Sequence, residues 1–283
     1  MRVKALFQLL RPHQWLKNLI LFFPPFLGGD ILRSGLLAKG IVPIAAFCLA
    51  SSSTYIINDI FDRRSDLNHP RKKFRPLPAG QVSVHGALLL AFVLSTVACV
   101  LGLRTGPTFF LVLLAYLLVT LVYSLGLKHV AVLELFCIPA GFLLRLKAGG
   151  VAFDVPVSAW LFLTVFLLAL FLATGKRLGE KSALGEAAED HRRALSGYPA
   201  GYLDGTMFMT GGAVLVTYTL YILSKHFLVY TVPLCAFGLL RYILLVKEGQ
   251  QGDPTDALVK DPFLFAVGLV WAGMVYWGIY GVN

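Results

Sequence analysis

Asn58-Asp59-Ile60-Phe61-Asp62-Arg63-Arg64-Ser65-Asp66 closes an apolar run that begins near residue 37. A helix needs roughly 20 apolar residues to cross a hydrocarbon core of about 30 Å, so residues 37 to 60 read as a membrane span with a charged end. On a helix, Asp59, Asp62 and Asp66 stand at i, i+3 and i+7 and share one face, with Asn58 four residues before Asp62.

Apolar runs of similar length recur outward from this one. They lie near residues 15 to 33, 37 to 60, 83 to 103, 107 to 125, 131 to 149, 157 to 175, 203 to 223, 227 to 246 and 262 to 281. With 57% hydrophobic and 14% charged residues over 283 positions, the main solvent is lipid. No alternation of the barrel type competes. The expected fold is all-α: a polytopic membrane bundle of about nine transmembrane helices, one domain over residues 1 to 283. Residues 1 to 16 read as an interfacial amphipathic helix, with Leu6, Leu9 and Leu10 on one side and Arg2, Lys4 and Arg11 available to lipid phosphates. They do not read as a cleaved signal, because Arg11 to Lys17 is polar and no small-residue cleavage site follows. Pro24 and Pro25 read as a helix break.

The net charge of +10 would suggest nucleic acid in a soluble chain, but here its distribution among the loops is what matters, and no nucleic-acid partner is expected. With the N-terminus inside, 19 of the 25 Lys and Arg fall on the cytoplasmic side; only Arg33, Lys39, Arg104, Arg145, Lys147 and Lys225 fall outside. The positive-inside rule therefore predicts a cytoplasmic N-terminus and, with nine spans, an external C-terminus. Cys48, Cys99, Cys137 and Cys235 sit singly in apolar runs and read as small core residues.

Two connections are long and charged, residues 61 to 82 and 176 to 202, and both are expected as cytoplasmic cap loops facing one pocket. In the first, the acidic face offers hard oxygen ligands suited to Mg²⁺, which takes one or two carboxylates and completes its shell with water and substrate phosphate. A blander reading pairs the acids with Arg63 and Arg64 on a solvated helix end, although acids at the end of a span are costly unless used. Immediately downstream, Asn68-His69-Pro70-Arg71-Lys72-Lys73-Phe74-Arg75-Pro76-Leu77-Pro78-Ala79-Gly80 is a stiff basic loop. Alone it could be a lipid anchor. Beside an acidic metal face it suits capture of a diphosphate leaving group.

Asn-Asp-x-x-Asp-x-x-x-Asp followed by Arg71-x-x-x-Arg75-Pro-Leu-Pro-x-Gly resembles the UbiA superfamily of intramembrane prenyltransferases. Tyr123-Ser124-x-x-x-Lys128 after the fourth span extends the likeness. The resemblance implies a UbiA-like fold, Mg²⁺ as cofactor, metal ligation by Asn58, Asp59, Asp62 and Asp66, and catalysis at the three aspartates. Typical members carry a second Asp-rich motif after span six. This chain has Lys176-Arg177-Leu178-Gly179-Glu180-Lys181 there, then Arg192-x-x-Leu195-x-x-Tyr198. Helical spacing groups Lys176, Arg177 and Glu180 on one face, so the cations could hold phosphate while Glu180 supports a metal or a sugar hydroxyl. A salt-bridged surface helix is the alternative.

Leu10-Arg11-Pro12-His13-Gln14-Trp15-Leu16-Lys17-Asn18, the Lys-Arg-x-x-Glu element, Gly141 to Arg145 and Gly149-Gly150 are similar to one branch of that superfamily, the decaprenyl-phosphate phosphoribosyltransferases of cell-wall synthesis. This likeness implies phosphoribosyl pyrophosphate as donor, a polyprenyl phosphate lipid as acceptor and pyrophosphate as product, within a membrane-lipid environment. It implies substrate binding by Lys17, Arg71, Arg75, Tyr123, Lys128, Arg145, Lys176, Arg177, Glu180, Arg192 and Tyr198. A donor carrying a 5-phosphate as well as a diphosphate needs extra cations, and the Lys176-Arg177 element would supply them. An acceptor phosphate is already anionic and needs no strong base. Arg145, inside a span, either lines a cavity, makes an ion pair or snorkels to the interface. An aromatic prenyltransferase using a polyprenyl diphosphate is the alternative enzyme; a transporter or lipid-binding scaffold is the alternative of another class.

Overall fold

The computed structural model describes residues 3–67, 72–184, 193–223, 226–249 and 253–281. Among them all regular structure is helical: α1 (Val3–Leu10), α2 (Phe23–Gly28), α3 (Leu36–Leu67), α4 (Val84–Thr105), α5 (Pro107–Leu125), α6 (Leu133–Phe153), α7 (Ala159–Leu184), α8 (Arg193–Ser196), α9 (Tyr202–Leu223), α10 (Val232–Lys247), α11 (Pro254–Lys260) and α12 (Pro262–Tyr280). Eight segments are long and apolar enough to cross a membrane: α3 to α7, α9, α10 with the 3₁₀ turn before it, and α12. Each coincides with an expected apolar run. Their outer faces carry Leu89, Phe92, Leu111 and Leu240, all strongly exposed, which is the surface lipid requires. The protein is an integral membrane protein.

The first expected span takes a different backbone. Pro12–Phe22 is a 3₁₀ helix that runs into α2. At about 2.0 Å per residue the 3₁₀ part rises about 22 Å, and α2 adds about 9 Å, so the segment still has the reach of a span. Pro24 and Pro25 lie in the first turn of α2, where a missing amide leaves no intrahelical bond unmade. They mark the change of helix type.

The charged connections are also shorter than expected. α3 continues to Leu67 and α7 to Leu184, so the acidic face and the Lys176-Arg177 element both lie on rigid helix extensions.

The chain divides into two compact units, with the division inside α6 between Pro139 and Ala140. The first comprises Met1–Lys128 and Ala140–Pro156; within it α3 packs along α4 and α5. Ser83 caps α4 by accepting the Gly86 amide, and Gly106 at φ 147°, followed by Pro107, turns the chain into α5. A Cβ on Gly149 would lie 2.0 Å from the Leu21 carbonyl oxygen, so α6 meets the 3₁₀ segment backbone to backbone.

The second unit comprises His129–Pro139 and Val157–Asn283. There α7 packs against α9 and α10 over Phe171, Met207, Val214 and Tyr242. Asp253 caps α11 and Asp261 caps α12, each accepting backbone amides.

Candidate active site

The end of α3 carries the acidic face, and every carboxylate on it meets a cation from elsewhere in the first unit. Asp59, 2% exposed, accepts Arg11 Nη2 on both oxygens at 2.6 and 2.8 Å and Arg75 Nη1 at 3.0 Å. The same Arg75 nitrogen reaches Asp66 at 2.7 Å and so bridges two carboxylates about two helical turns apart. Asp62, the most open of the three at 26%, accepts Lys128 Nζ at 2.5 Å, and Lys128 also donates to Asn58 Oδ1 at 3.2 Å. Asn58 in turn donates to Asp62 at 2.9 Å. Buried carboxylates so close together hold their charge only with such partners.

Arg63 and Arg64, adjacent in sequence to these acids, do not pair with them. Both are exposed, with no side-chain partner among the described residues. The pairing instead falls to Arg11, expected among the lipid-facing cations. Arg11 sits at φ 51° between α1 and the 3₁₀ helix, packs on the Tyr55 ring at 5.3 Å and points inward. Nearby, Trp15 donates to Ser52 at 2.9 Å and Ser52 donates to the Leu10 carbonyl at 2.7 Å, fastening the N-terminal turn to α3.

Arg145 neither snorkels nor makes an ion pair among the described residues. It is 5% exposed and donates to Asn18 Oδ1 at 2.7 Å, Tyr116 Oη at 2.8 Å and the Gly141 carbonyl at 3.0 Å, with its guanidinium 4.5 Å from the Tyr116 ring centre. Neutral acceptors and an aromatic face satisfy it inside the first unit. Lys17 and Tyr123 are half-buried, Lys17 in the 3₁₀ segment and Tyr123 near the end of α5.

In the second unit the roles of helix and partner are reversed. Arg177, 2% exposed, donates to the fully buried Glu134 at 2.8 Å and to Glu180 at 2.7 Å. Lys176 pairs with Asp253 at 2.8 Å and keeps about a third of its side chain exposed. Tyr198 accepts the Val132 amide at 2.9 Å, lies 3.4 Å from Glu134 Oε1, and offers its carbonyl to Lys181 at 2.6 Å. Burial pushes its phenol up to about 12, with the Glu134 charge adding to the rise. Val132 is held at φ 67°, strained for a β-branched residue. The expected surface salt bridges on this helix are therefore partly an interior network. Arg71 and Arg192, both expected in substrate binding, lie outside the described residues, as do Glu186, Glu189 and Asp190.

Sequence reading missed the pairing of three participants: Arg11, Glu134 and Asp253. Glu134 carried a signal, since an acid beside a span must find a cation, but its partner lies 43 positions away.

The donor chemistry at the end of α3 fits Mg²⁺. Asn58, Asp59, Asp62 and Asp66 offer only hard oxygens. Among the described residues no three acidic, His or Cys side chains gather into a ready cage, which Mg²⁺ bound through substrate phosphates does not require. Arg11, Arg75 and Lys128 hold the carboxylates by ion pairs that a metal and a phosphate could exchange, metal to carboxylate and phosphate to cation.

An all-helical membrane protein whose longest helix ends in a neutralised carboxylate face is the class that fold and site define. The chain belongs to the UbiA prenyltransferase family, whose model matches residues 22–268. It is 33% identical over 98% of its length to the decaprenyl-phosphate phosphoribosyltransferase of Mycolicibacterium smegmatis, covering 93% of that protein. It is 31% identical over 96% of its length to the protein of that name from Corynebacterium glutamicum, covering 85% of it. In fold it is similar to a UbiA homolog from Archaeoglobus fulgidus bound to GPP and Mg²⁺, with a TM-score of 0.77 at 19% identity over 98% of this chain and 100% of that one.

Proposed function

We propose that this protein transfers 5-phosphoribose from phosphoribosyl pyrophosphate to a polyprenyl phosphate of the decaprenyl type, releasing pyrophosphate, as a step toward cell-wall arabinan precursors. The observation that carries the reading is a site built from equal numbers of carboxylates and cations, Asp59, Asp62 and Asp66 with Arg11, Arg75 and Lys128. The donor and acceptor come from the shared name of relatives that match almost the whole chain.

In this reading Asn58, Asp59, Asp62 and Asp66 hold Mg²⁺, which when bound neutralises charge on the departing diphosphate. Arg75 and Lys128 turn from carboxylates to diphosphate oxygens as donor enters, and Arg71 joins them. Lys176, the open cation of the second cluster, and Arg192 bind donor phosphate. Arg177, with Glu180, keeps that helix end in place, and Tyr198 does so through Val132. Arg145 holds Asn18 and with it the segment that carries Lys17; Tyr123 lines the donor side.

The acceptor phosphate oxygen forms a bond to the anomeric carbon as the bond from that carbon to the diphosphate oxygen breaks, with inversion at the carbon. The acceptor enters as an anion and gives up no proton, so no general base is needed. In this reading the site faces the cytoplasm and the N-terminus lies inside, which the excess of Lys and Arg in those connections supports.

The test is incubation of the detergent-purified chain with labelled phosphoribosyl pyrophosphate, Mg²⁺ and a polyprenyl phosphate. Pyrophosphate release together with a labelled lipid is the expected result. Release of neither product, with transfer from a polyprenyl diphosphate to an aromatic acceptor instead, would establish the alternative enzyme.

A further inference from the structure

The two arginines that the acidic face leaves unused border a groove on another face of the same helix end. Asp59, Asp62 and Asp66 share one face of α3, whereas Ile60, Arg64 and Leu67 lie roughly 130° around it. With Phe61, Arg63 and Val84 of α4 they line an open groove of about 440 Å³. Its walls are apolar apart from the guanidinium pair. Phe61 and Leu67 are each half exposed, and neither Arg63 nor Arg64 has an acidic partner among the described residues.

The length of α3 sets the depth of this groove. At 32 residues it rises about 48 Å, against about 30 Å of hydrocarbon and about 40–45 Å of bilayer with headgroups. The last turns of a helix spanning the core therefore stand at headgroup level. Exposed Phe and Leu beside two guanidiniums without an acidic partner among the described residues match, at that depth, the junction between lipid chains and phosphate. A soluble anion would find the cations but leave the apolar walls wet.

We propose that this groove binds the phosphate of an anionic phospholipid of the surrounding leaflet, with Arg63 and Arg64 on the headgroup and Ile60, Phe61, Leu67 and Val84 against the start of its chains. The site is separate from the acidic face and stands whether or not the transferase reading does. Such a lipid grips the same turns of α3 that carry the carboxylates, from another side.

The test is titration of the detergent-solubilised full chain with short-chain phosphatidylglycerol, phosphatidylcholine or inorganic phosphate, counting bound lipid by native mass spectrometry. The unaltered chain is expected to retain phosphatidylglycerol in preference to phosphatidylcholine, undisturbed by inorganic phosphate. Arg63→Ala with Arg64→Ala should weaken retention roughly twenty-five-fold, about fivefold for each cation at an anionic surface. Arg63→Lys with Arg64→Lys should keep most of it, which separates loss of charge from loss of fold. Equal retention by the double alanine variant would overturn the proposal. So would displacement of the lipid by inorganic phosphate, or a change of oligomeric state in that variant with lipid retention unaltered, which would assign the groove to a second copy.

Discussion

Two long helices, α3 and α7, each carry charge beyond an apolar span, and they do so in opposite senses. On α3 the helix supplies the carboxylates, and cations arrive from the N-terminal turn, the basic loop and the turn after α5. On α7 the helix supplies the cations, and the carboxylates arrive from the start of α6 and the cap of α11. Burial separates them further. The α3 pairs include partners open to exchange, with Asp62 and Arg75 each about a quarter exposed. The central α7 pair, Glu134 with Arg177, is sealed on both sides. A half-open pair can trade partners with a phosphate or a metal, while a sealed pair holds the fold, because removing either member strands a charge in a low-dielectric interior.

This contrast can be broken first at α3. Asp59→Ala and Asp62→Ala should each lower label transfer to polyprenyl phosphate at least about a thousandfold, through lost metal and diphosphate binding. Retention of activity within tenfold, with the folded protein confirmed in detergent, would favour a scaffold or transporter.

The sealed pair at α7 should answer in stability. Glu134→Gln should destabilise the protein by on the order of 3 kcal/mol, read as a lower midpoint of thermal aggregation in detergent. The double variant Glu134→Gln with Arg177→Met should regain part of that loss, since the one carboxylate it leaves without Arg177 is Glu180, which is about a quarter exposed. A single variant as stable as the parent would show the pair to be exchangeable after all.

Lys176, the open cation of the same helix, should behave like the α3 residues. Lys176→Ala should raise KM for phosphoribosyl pyrophosphate about tenfold while leaving KM for the lipid acceptor nearly unchanged. Equal effects on both would contradict its assignment to the donor.

The smallest effect belongs to Tyr198. Tyr198→Phe leaves the Val132 amide without its acceptor and should cost about 1 kcal/mol. Its phenol is pushed up from an ordinary value near 10 to about 12. A group raised on folding lends its full stability below the unfolded value and loses it as pH rises toward the folded one. The difference in stability between parent and variant should therefore be constant up to about pH 10 and shrink between pH 10 and 12. A change near neutral pH would mean another group titrates there.

Eight of the nine expected spans coincide with long helices because about 20 apolar residues admit few structures in lipid, where each backbone polar group needs an internal partner. The first segment kept its place but not its helix type. Arg11-Pro12 and Pro24-Pro25 constrain local backbone dihedrals, yet the 3₁₀ geometry goes with the Leu21–Gly149 approach and the Asn18–Arg145 bond, contacts made across more than a hundred positions.

At the site, the sequence by itself determined which residues share a face, because helical spacing alone aligns Asp59, Asp62 and Asp66 and places the charge of Lys176 and Arg177 at a helix end. It could not determine which cation meets which acid. Adjacent Arg63 and Arg64 were the nearest candidates, and tertiary structure bypassed both for Arg11, Arg75 and Lys128, leaving the neighbouring pair on the groove. Ion pairing depends on distance and desolvation, and both are set by packing between segments far apart in the chain.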